Sequence, residues 1–305
     1  MGKKNLWRIV EDAMIKVIRQ TAPMIATYPE ICKFCSSEQI VRYGHYRQIQ
    51  RWWCKDCKRK FVHNNAVSGM QYPAIQVASA LSSFYEGMPI RGIRRNIKQT
   101  FGSYPQNATI YNWIQHFTKT AIEAVKDYKP KVGDRWVADE TVLRIEGQNL
   151  WFWDLIDTDT RFLLASHIST SRTIKDARIL MERAANKAGK IPEVIITDKL
   201  AAYINGIELT LGTGTKHIRA KKLTAEPGTQ LVERFHGTLK ARTEMMKGLK
   251  TRKSARLILD GWLVFYNFLR PHEALKNKQG NLTPAEKAGI RFPFRNWLDI
   301  VKGGK

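Results

Sequence analysis

Hydrophobic positions change period several times along the chain, and each change predicts an element. Leu6, Val10, Met14, Val17 and Ile18 recur at helical spacing, with Lys4, Arg8, Lys16 and Arg19 on other faces. This predicts an amphipathic helix within residues 1–29, ended near Pro23. The stretch from Ile40 to Tyr46 alternates like a hairpin strand. Helical spacing returns after Pro73. Ala78, Leu81 and Phe84 mark one helix, and Ile90, Ile93 and Ile97 a second. Ile110, Trp113, Ile114 and Phe117 mark a third that begins near Asn107. Lys129-Pro130-Lys131-Val132-Gly133 reads as a linker. Beyond it, strands are expected from Trp136 to Ile145, from Leu150 to Ile156 and from Arg161 to Ile168. A helix through Ala177, Leu180, Met181 and Ala184 follows, closed by Gly189. Val194-Ile195-Ile196-Thr197 is a short apolar strand. A short helix around Leu200 to Tyr203, a strand near His217-Ile218 and a long helix from about Thr229 to Met246 complete the pattern. Three antiparallel strands followed by alternating helix and strand predict an α/β core over 134–270, a mixed sheet covered by helices. Trp262, Leu263, Phe265, Tyr266 and Phe268 form a last core helix, and residues 271–305 read as a C-terminal tail.

Composition changes this picture in two ways. Lys and Arg number 51 against 27 Asp and Glu, a net charge of +24, spread along the chain rather than held in a tail. A basic surface of that size on folded domains points to a polyanion, nucleic acid before membrane. No apolar run is longer than Trp262 to Tyr266, which is far too short to span a bilayer. Glu11 and Asp12 interrupt the only early apolar stretch, so no signal peptide is expected and a cytoplasmic, nucleoid-associated protein is. All four cysteines fall in Cys32-Lys33-Phe34-Cys35 and Cys54-Lys55-Asp56-Cys57, with eighteen residues between the pairs. That spacing predicts a zinc ribbon over 30–66 with a closed, structural site of four thiolates. Arg42, Arg51, Lys55, Lys58, Arg59 and Lys60 surround it, with Trp52 and Trp53 among them. Two readings stay open there: a phosphate-contacting surface, or a solvated charged face over a tryptophan core.

The three helices of residues 70–128 fit a helix-turn-helix DNA-binding domain, although any small helical bundle reads similarly. The third helix would enter the major groove with Asn107, Thr109, Tyr111 and Asn112 as contacts, and Arg94 and Arg95 would add phosphate contacts. The candidate chemistry lies further on. Asp139 follows the apolar run Trp136-Val137-Ala138, Asp198 follows Val194 to Thr197, and Glu233 sits inside the long helix. Two carboxylates at strand ends and one on a helix can converge on one point. Three carboxylates that close repel one another unless a divalent cation lies between them, and an oxygen-only set suits Mg²⁺ or Mn²⁺. A pair of such ions about 4 Å apart serves in-line displacement at phosphorus. On a regular strand Glu140 points to the opposite face from Asp139. Asp154, Asp157 and Asp159 read as strand-edge and turn residues outside the site. Glu226 falls in a loop, and His236 assists Glu233, contacts DNA or packs.

From Asp139 to Asp198 is 59 residues, 34 lie between Asp198 and Glu233, and Lys240 follows Glu233 by seven. With Tyr266-Asn267-Phe268-Leu269-Arg270-Pro271-His272-Glu273-Ala274-Leu275 and Thr283-Pro284, this resembles the DDE transposases of prokaryotic insertion sequences, in the retroviral integrase-like superfamily. The likeness is close over residues 134–290 and looser for the zinc ribbon and helix-turn-helix in front. It implies a ribonuclease H-like fold with a five-stranded mixed sheet. It also implies that Asp139, Asp198 and Glu233 hold Mg²⁺ (or Mn²⁺), that the ribbon's Zn²⁺ is structural, and that Lys240, Arg234 and Arg242 contact DNA. The implied activity is phosphodiester hydrolysis at element ends followed by strand transfer into target DNA. The implied partners are the terminal inverted repeats, target DNA and a second copy of the chain, as a homodimer or higher oligomer. The alternative is a sequence-specific DNA-binding protein of the same descent whose core no longer cuts.

Overall fold

A computed structural model describes residues 29–46, 49–63, 66, 70–220, 230–245, 249–278 and 280–303. The helix expected within residues 1–29 and the loop carrying Glu226 lie outside the described residues. The chain divides into two compact units, Met1–Pro73 and Ala74–Lys305.

In the first unit β1 (Ile40–Tyr46), β2 (Ile49–Cys54) and β3 (Lys60–Val62) form an antiparallel sheet in that order. Alternation sends Ile40, Trp52 and Phe61 inward, where they meet Cys32 and Cys54. Trp53 faces the other way and stacks on Tyr43, 5.7 Å between ring centroids, with Lys60 Nζ 4.2 Å from the Tyr43 ring. Trp52 is therefore core, and Trp53 belongs to a basic, aromatic outer face. Among the described residues this cluster is small, and one cysteine of each pair forms part of it.

The second unit begins with α1 (Ala74–Tyr85), α2 (Ile90–Phe101) and α3 (Asn107–Val125). Then β4 (Arg135–Ile145), β5 (Gln148–Asp157) and β6 (Leu163–Ser169) form an antiparallel meander. Its first turn is Glu146-Gly147, with φ of 54° and 77°, the left-handed pair a two-residue hairpin requires. Next, α4 (Ile174–Ala188) crosses over to β7 (Val194–Thr197), and α5 (Ala202–Leu211) to β8 (Lys216–Arg219). Strand β7 pairs in parallel with β4, and β8 in parallel with β7. The order β6-β5-β4-β7-β8 puts β4 and β7 side by side at the centre of the sheet, the ribonuclease H-like arrangement. Helix α4 starts where the Thr173 N–H and hydroxyl both donate to Asp176, at 3.0 and 2.6 Å. Helix α5 runs on past Tyr203 because Ile207 and Leu211 continue the same buried face at steps of four.

Helices α6 (Gln230–Met245) and α7 (Arg252–Val264) follow, then a widened turn at Phe265–Leu269. The C-terminal residues form no tail. They fold as a hairpin of β9 (His272–Asn277) and β10 (Gly280–Leu282), a short α8 (Pro284–Lys287) and α9 (Trp297–Gly303). Trp297, Ile300 and Val301 share one helical face, are buried, and bring α9 onto α1, where Trp297 stacks on Tyr85 at 5.0 Å. The helical segment is likewise not a separate body, because α3 packs on α7 and α1 on α9. Gly261 of α7 makes that approach: a Cβ there would lie 2.2 Å from the Tyr85 hydroxyl and 2.3 Å from the Thr118 methyl. The supposed linker is pinned too, by the Lys131 N–H donating to the Ala288 carbonyl at 2.8 Å.

Candidate active site

The site forms where β7 stops and β4 continues. The two strands pair over Arg135–Val137 and Val194–Ile196, and β7 ends at Thr197. Asp139 and Glu140 therefore stand beside the gap into which Asp198 turns. The Leu200 N–H donates to Asp198 Oδ1 at 2.9 Å and fixes the acid in that turn. One carboxylate oxygen from each of Asp139, Glu140 and Asp198 lies within 4.8 Å of the others. Glu140 keeps to the opposite face of β4 from Asp139, where its register partner Trp153 meets Tyr203, yet beyond the end of β7 its carboxylate still comes within reach of the other two acids. It is held there by Arg172, whose Nη1 donates to Oε1 at 3.0 Å, and by the Tyr203 hydroxyl, which donates to Oε2 at 2.9 Å.

This grouping disfavours the charged forms. Burial raises the Asp139 carboxyl to about 7, opposed by His236 and reinforced by Asp154. Burial also raises Glu140, and the neighbouring Asp198 adds to it. A hard divalent cation would reverse that cost, and the donors fit one: all are carboxylate oxygens, spread little wider than the roughly 4.2 Å that spans opposite ligands of an octahedral Mg²⁺. In the ribbon, Cys32 Sγ lies 3.7 Å from Cys57 Sγ and Cys35 Sγ 3.6 Å from Cys54 Sγ. Ligands about 2.3 Å from a tetrahedral centre stand about 3.8 Å apart, whereas a disulfide needs about 2.05 Å. The four thiols, unpaired with one another, could hold a metal ion.

Residues 133–272 match the family model of a DDE domain. This segment is a DDE domain. Among curated relatives, the transposase of insertion sequence-like element IS431mec from Staphylococcus aureus is 25% identical over 154 residues, 48% of this chain and 65% of its own length. The uncharacterized protein of transposable element ISH50 from Halobacterium salinarum is 29% identical over 98 residues, 32% of each chain. The match thus spans a third to two thirds of these relatives. Among solved structures, the catalytic core domain of HTLV-2 integrase in complex with magnesium aligns with a TM-score of 0.39 and 19% identity over 52% of this chain and 97% of that one. The core domain of BIV integrase aligns at 0.38 and 18% over 51% and 93%.

Within the DDE domain, Asp139 and Asp198 come together as expected, and Glu233 is not in their group. It lies on the exposed face of α6 with Arg234 and Lys240. The same helix turns Val232, Phe235, His236, Leu239 and Arg242 inward. Arg242 is therefore no part of an exposed DNA surface: it is 3% exposed, lies 3.9 Å over the Phe84 ring, and none of its guanidinium nitrogens has a hydrogen-bond partner. Burial brings its pKa down to about 10. At the N-terminal half of α3, Asn112 is exposed and Asn107, Thr109 and Tyr111 are half-buried; Arg95 is exposed, and Arg94 lies 3.7 Å over the Tyr104 ring.

Asp154 is the residue that sequence reading misplaced. It sits mid-strand, directly opposite Asp139 across the β4–β5 pair, and is 0% exposed. His236 Nε2 donates to it, 2.5 Å from Oδ1 and 3.0 Å from Oδ2, while Nδ1 of the same ring lies 3.5 Å from Asp139 Oδ2. The signal was available: a two-residue turn at Glu146-Gly147 sets the register of the hairpin and opposes residue 139 to residue 154.

Proposed function

We propose that this protein is a DDE transposase of an insertion sequence, which cuts at the element's ends and joins them to target DNA. The observation that carries the reading is the meeting of Asp139 and Asp198 from adjacent central strands within a DDE domain, on a chain of net charge +24. Asp139 and Asp198, completed by Glu233, would hold Mg²⁺ or Mn²⁺, and Cys32, Cys35, Cys54 and Cys57 a structural Zn²⁺. Divalent cations so held supply activation of the attacking oxygen and charge stabilisation of the leaving one. The chain's own part is to hold the acids in register, to present Lys240 and Arg234 to phosphates from the face that carries Glu233, and to seat DNA on Arg95, Asn107, Thr109, Tyr111 and Asn112. Two ends cut in concert call for at least a dimer of this chain. Relatives named as transposases support the reading. No described helix is long and apolar enough to cross a membrane, in keeping with work at the prokaryotic nucleoid.

The test is a strand-transfer assay on the element's own terminal DNA with Mg²⁺, comparing wild type, Glu233→Gln and Asp198→Ala. Joining by the wild type alone, with end binding kept in both variants, is expected. Equal joining by the variants would overturn the assignment. Binding without joining by any of the three would favour a DNA-binding protein that does not cut.

A further inference from the structure

His236 is the residue through which the helix carrying Glu233 touches the acids of the sheet. The ring is 8% exposed and lies between two carboxylates on the same face of a β-ladder, with Asp154 behind it and Asp139 in front. Both ring nitrogens face an acid, at 2.5 Å on the Asp154 side and 3.5 Å on the Asp139 side. Asp154 is fully buried and has no role in reach of substrate; both of its carboxylate oxygens accept from His236. A buried carboxylate set deep behind a histidine, which in turn faces a candidate metal ligand, is the arrangement by which proteins orient ligands from a second layer.

We propose that Asp154 and His236 are positioning residues: Asp154 fixes the imidazole, and the imidazole both aims the Asp139 carboxylate toward Asp198 and docks the Glu233 helix onto the sheet. The proposal rests on the reading of Asp139 and Asp198 as metal ligands. One ring thereby couples two of the three acids, since Glu233 precedes His236 by three residues, one turn of α6.

Metal binding by the full-length chain tests this without recourse to activity. Mn²⁺ is titrated into wild type, Asp139→Asn, His236→Gln, His236→Asn, Asp154→Asn and the double variant Asp154→Asn/His236→Gln. Glutamine places its amide where Nε2 stood and asparagine where Nδ1 stood, so each replaces one end of the bridge. The double variant restores a neutral partner for the buried position and guards against loss of the fold, followed by thermal denaturation. Each single variant at 154 or 236 is expected to weaken Mn²⁺ binding about 10- to 100-fold. The double variant should regain its melting temperature but not its metal affinity, and lose no more affinity than the worse single variant, as members of one unit do. Affinity restored along with the fold in the double variant would reduce the pair to packing and overturn the proposal. Wild-type affinity in the His236 variants, with binding lost in Asp139→Asn, would overturn the positioning role alone. Unchanged binding in Asp139→Asn would overturn the metal reading and the positioning role with it.

Discussion

Replacing Asp139 by Asn removes a carboxyl group whose proton affinity the fold has raised. Its side chain is 15% exposed, and burial, opposed by His236 and reinforced by Asp154, takes its pKa to about 7 from 3.8. A raised folded-state value means that the folded chain binds the proton more tightly than the unfolded chain. The resulting stabilisation is fully present below about pH 4 and is lost as the pH rises through about 7. Three tenfold steps in proton affinity at about 1.36 kcal/mol each give a ceiling near 4 kcal/mol, of which about 2.5 kcal/mol falls between pH 5 and 8. Asparagine has nearly the same size and no charge. The stability of Asp139→Asn relative to wild type should therefore rise by about 2.5 kcal/mol from pH 5 to 8. Urea unfolding of both chains across that range, without added Mg²⁺ or Mn²⁺, measures it. Adding Mn²⁺ at the upper end should then stabilise the wild type and leave the variant unmoved, because only the wild type has the full ligand set. A stability difference that does not change with pH, or an equal response of both chains to Mn²⁺, would refute the account of this site.

Two further outcomes follow from the packing. Arg242→Met removes a buried guanidinium whose nitrogens lack hydrogen bonds and keeps most of its apolar contact with Phe84. Thermal melts should show it neutral or up to about 3 kcal/mol more stable, with end-DNA affinity unchanged by mobility shift; a tenfold loss of affinity would return Arg242 to the DNA surface. Gly261→Ala places a methyl against Tyr85 and Thr118 and should cost at least about 1–3 kcal/mol in a melt; an unchanged melting temperature would show that α7 does not interlock with α1 and α3.

Periodicity and local motifs carried much of this protein. The apolar strand at Val194–Thr197 matches its expected bounds, and the Cys-x-x-Cys turns meet at metal-ligand spacing because each knuckle is set within four residues. Asp139 and Asp198 were found because each follows an apolar run; Asp198 lies just past the end of β7 while β4 continues through Asp139 to Ile145, and right-handed crossovers bring such strands side by side. Long-range packing was not legible in the same way. The C-terminal segment looked like a tail because seven residues of α9 are too few to show a period, yet Trp297 needs Tyr85 to cover it. Arg242 is of a residue type normally found at the surface, and only the docking of α6 against Phe84 makes it core.

The sequence by itself determined the kinds of element, the sulfur site and the pair of acids that follow apolar runs, since these depend on residues close in the chain or on a repeat of two or 3.6. Which acids share a space was decided by tertiary structure alone. Glu140 joins the site because β7 stops short of it in space, Glu233 lies off it because α6 turns His236 inward instead, and Asp154 is buried behind that ring. Each of these outcomes depends on where one element ends against another, and no local pattern encodes that distance.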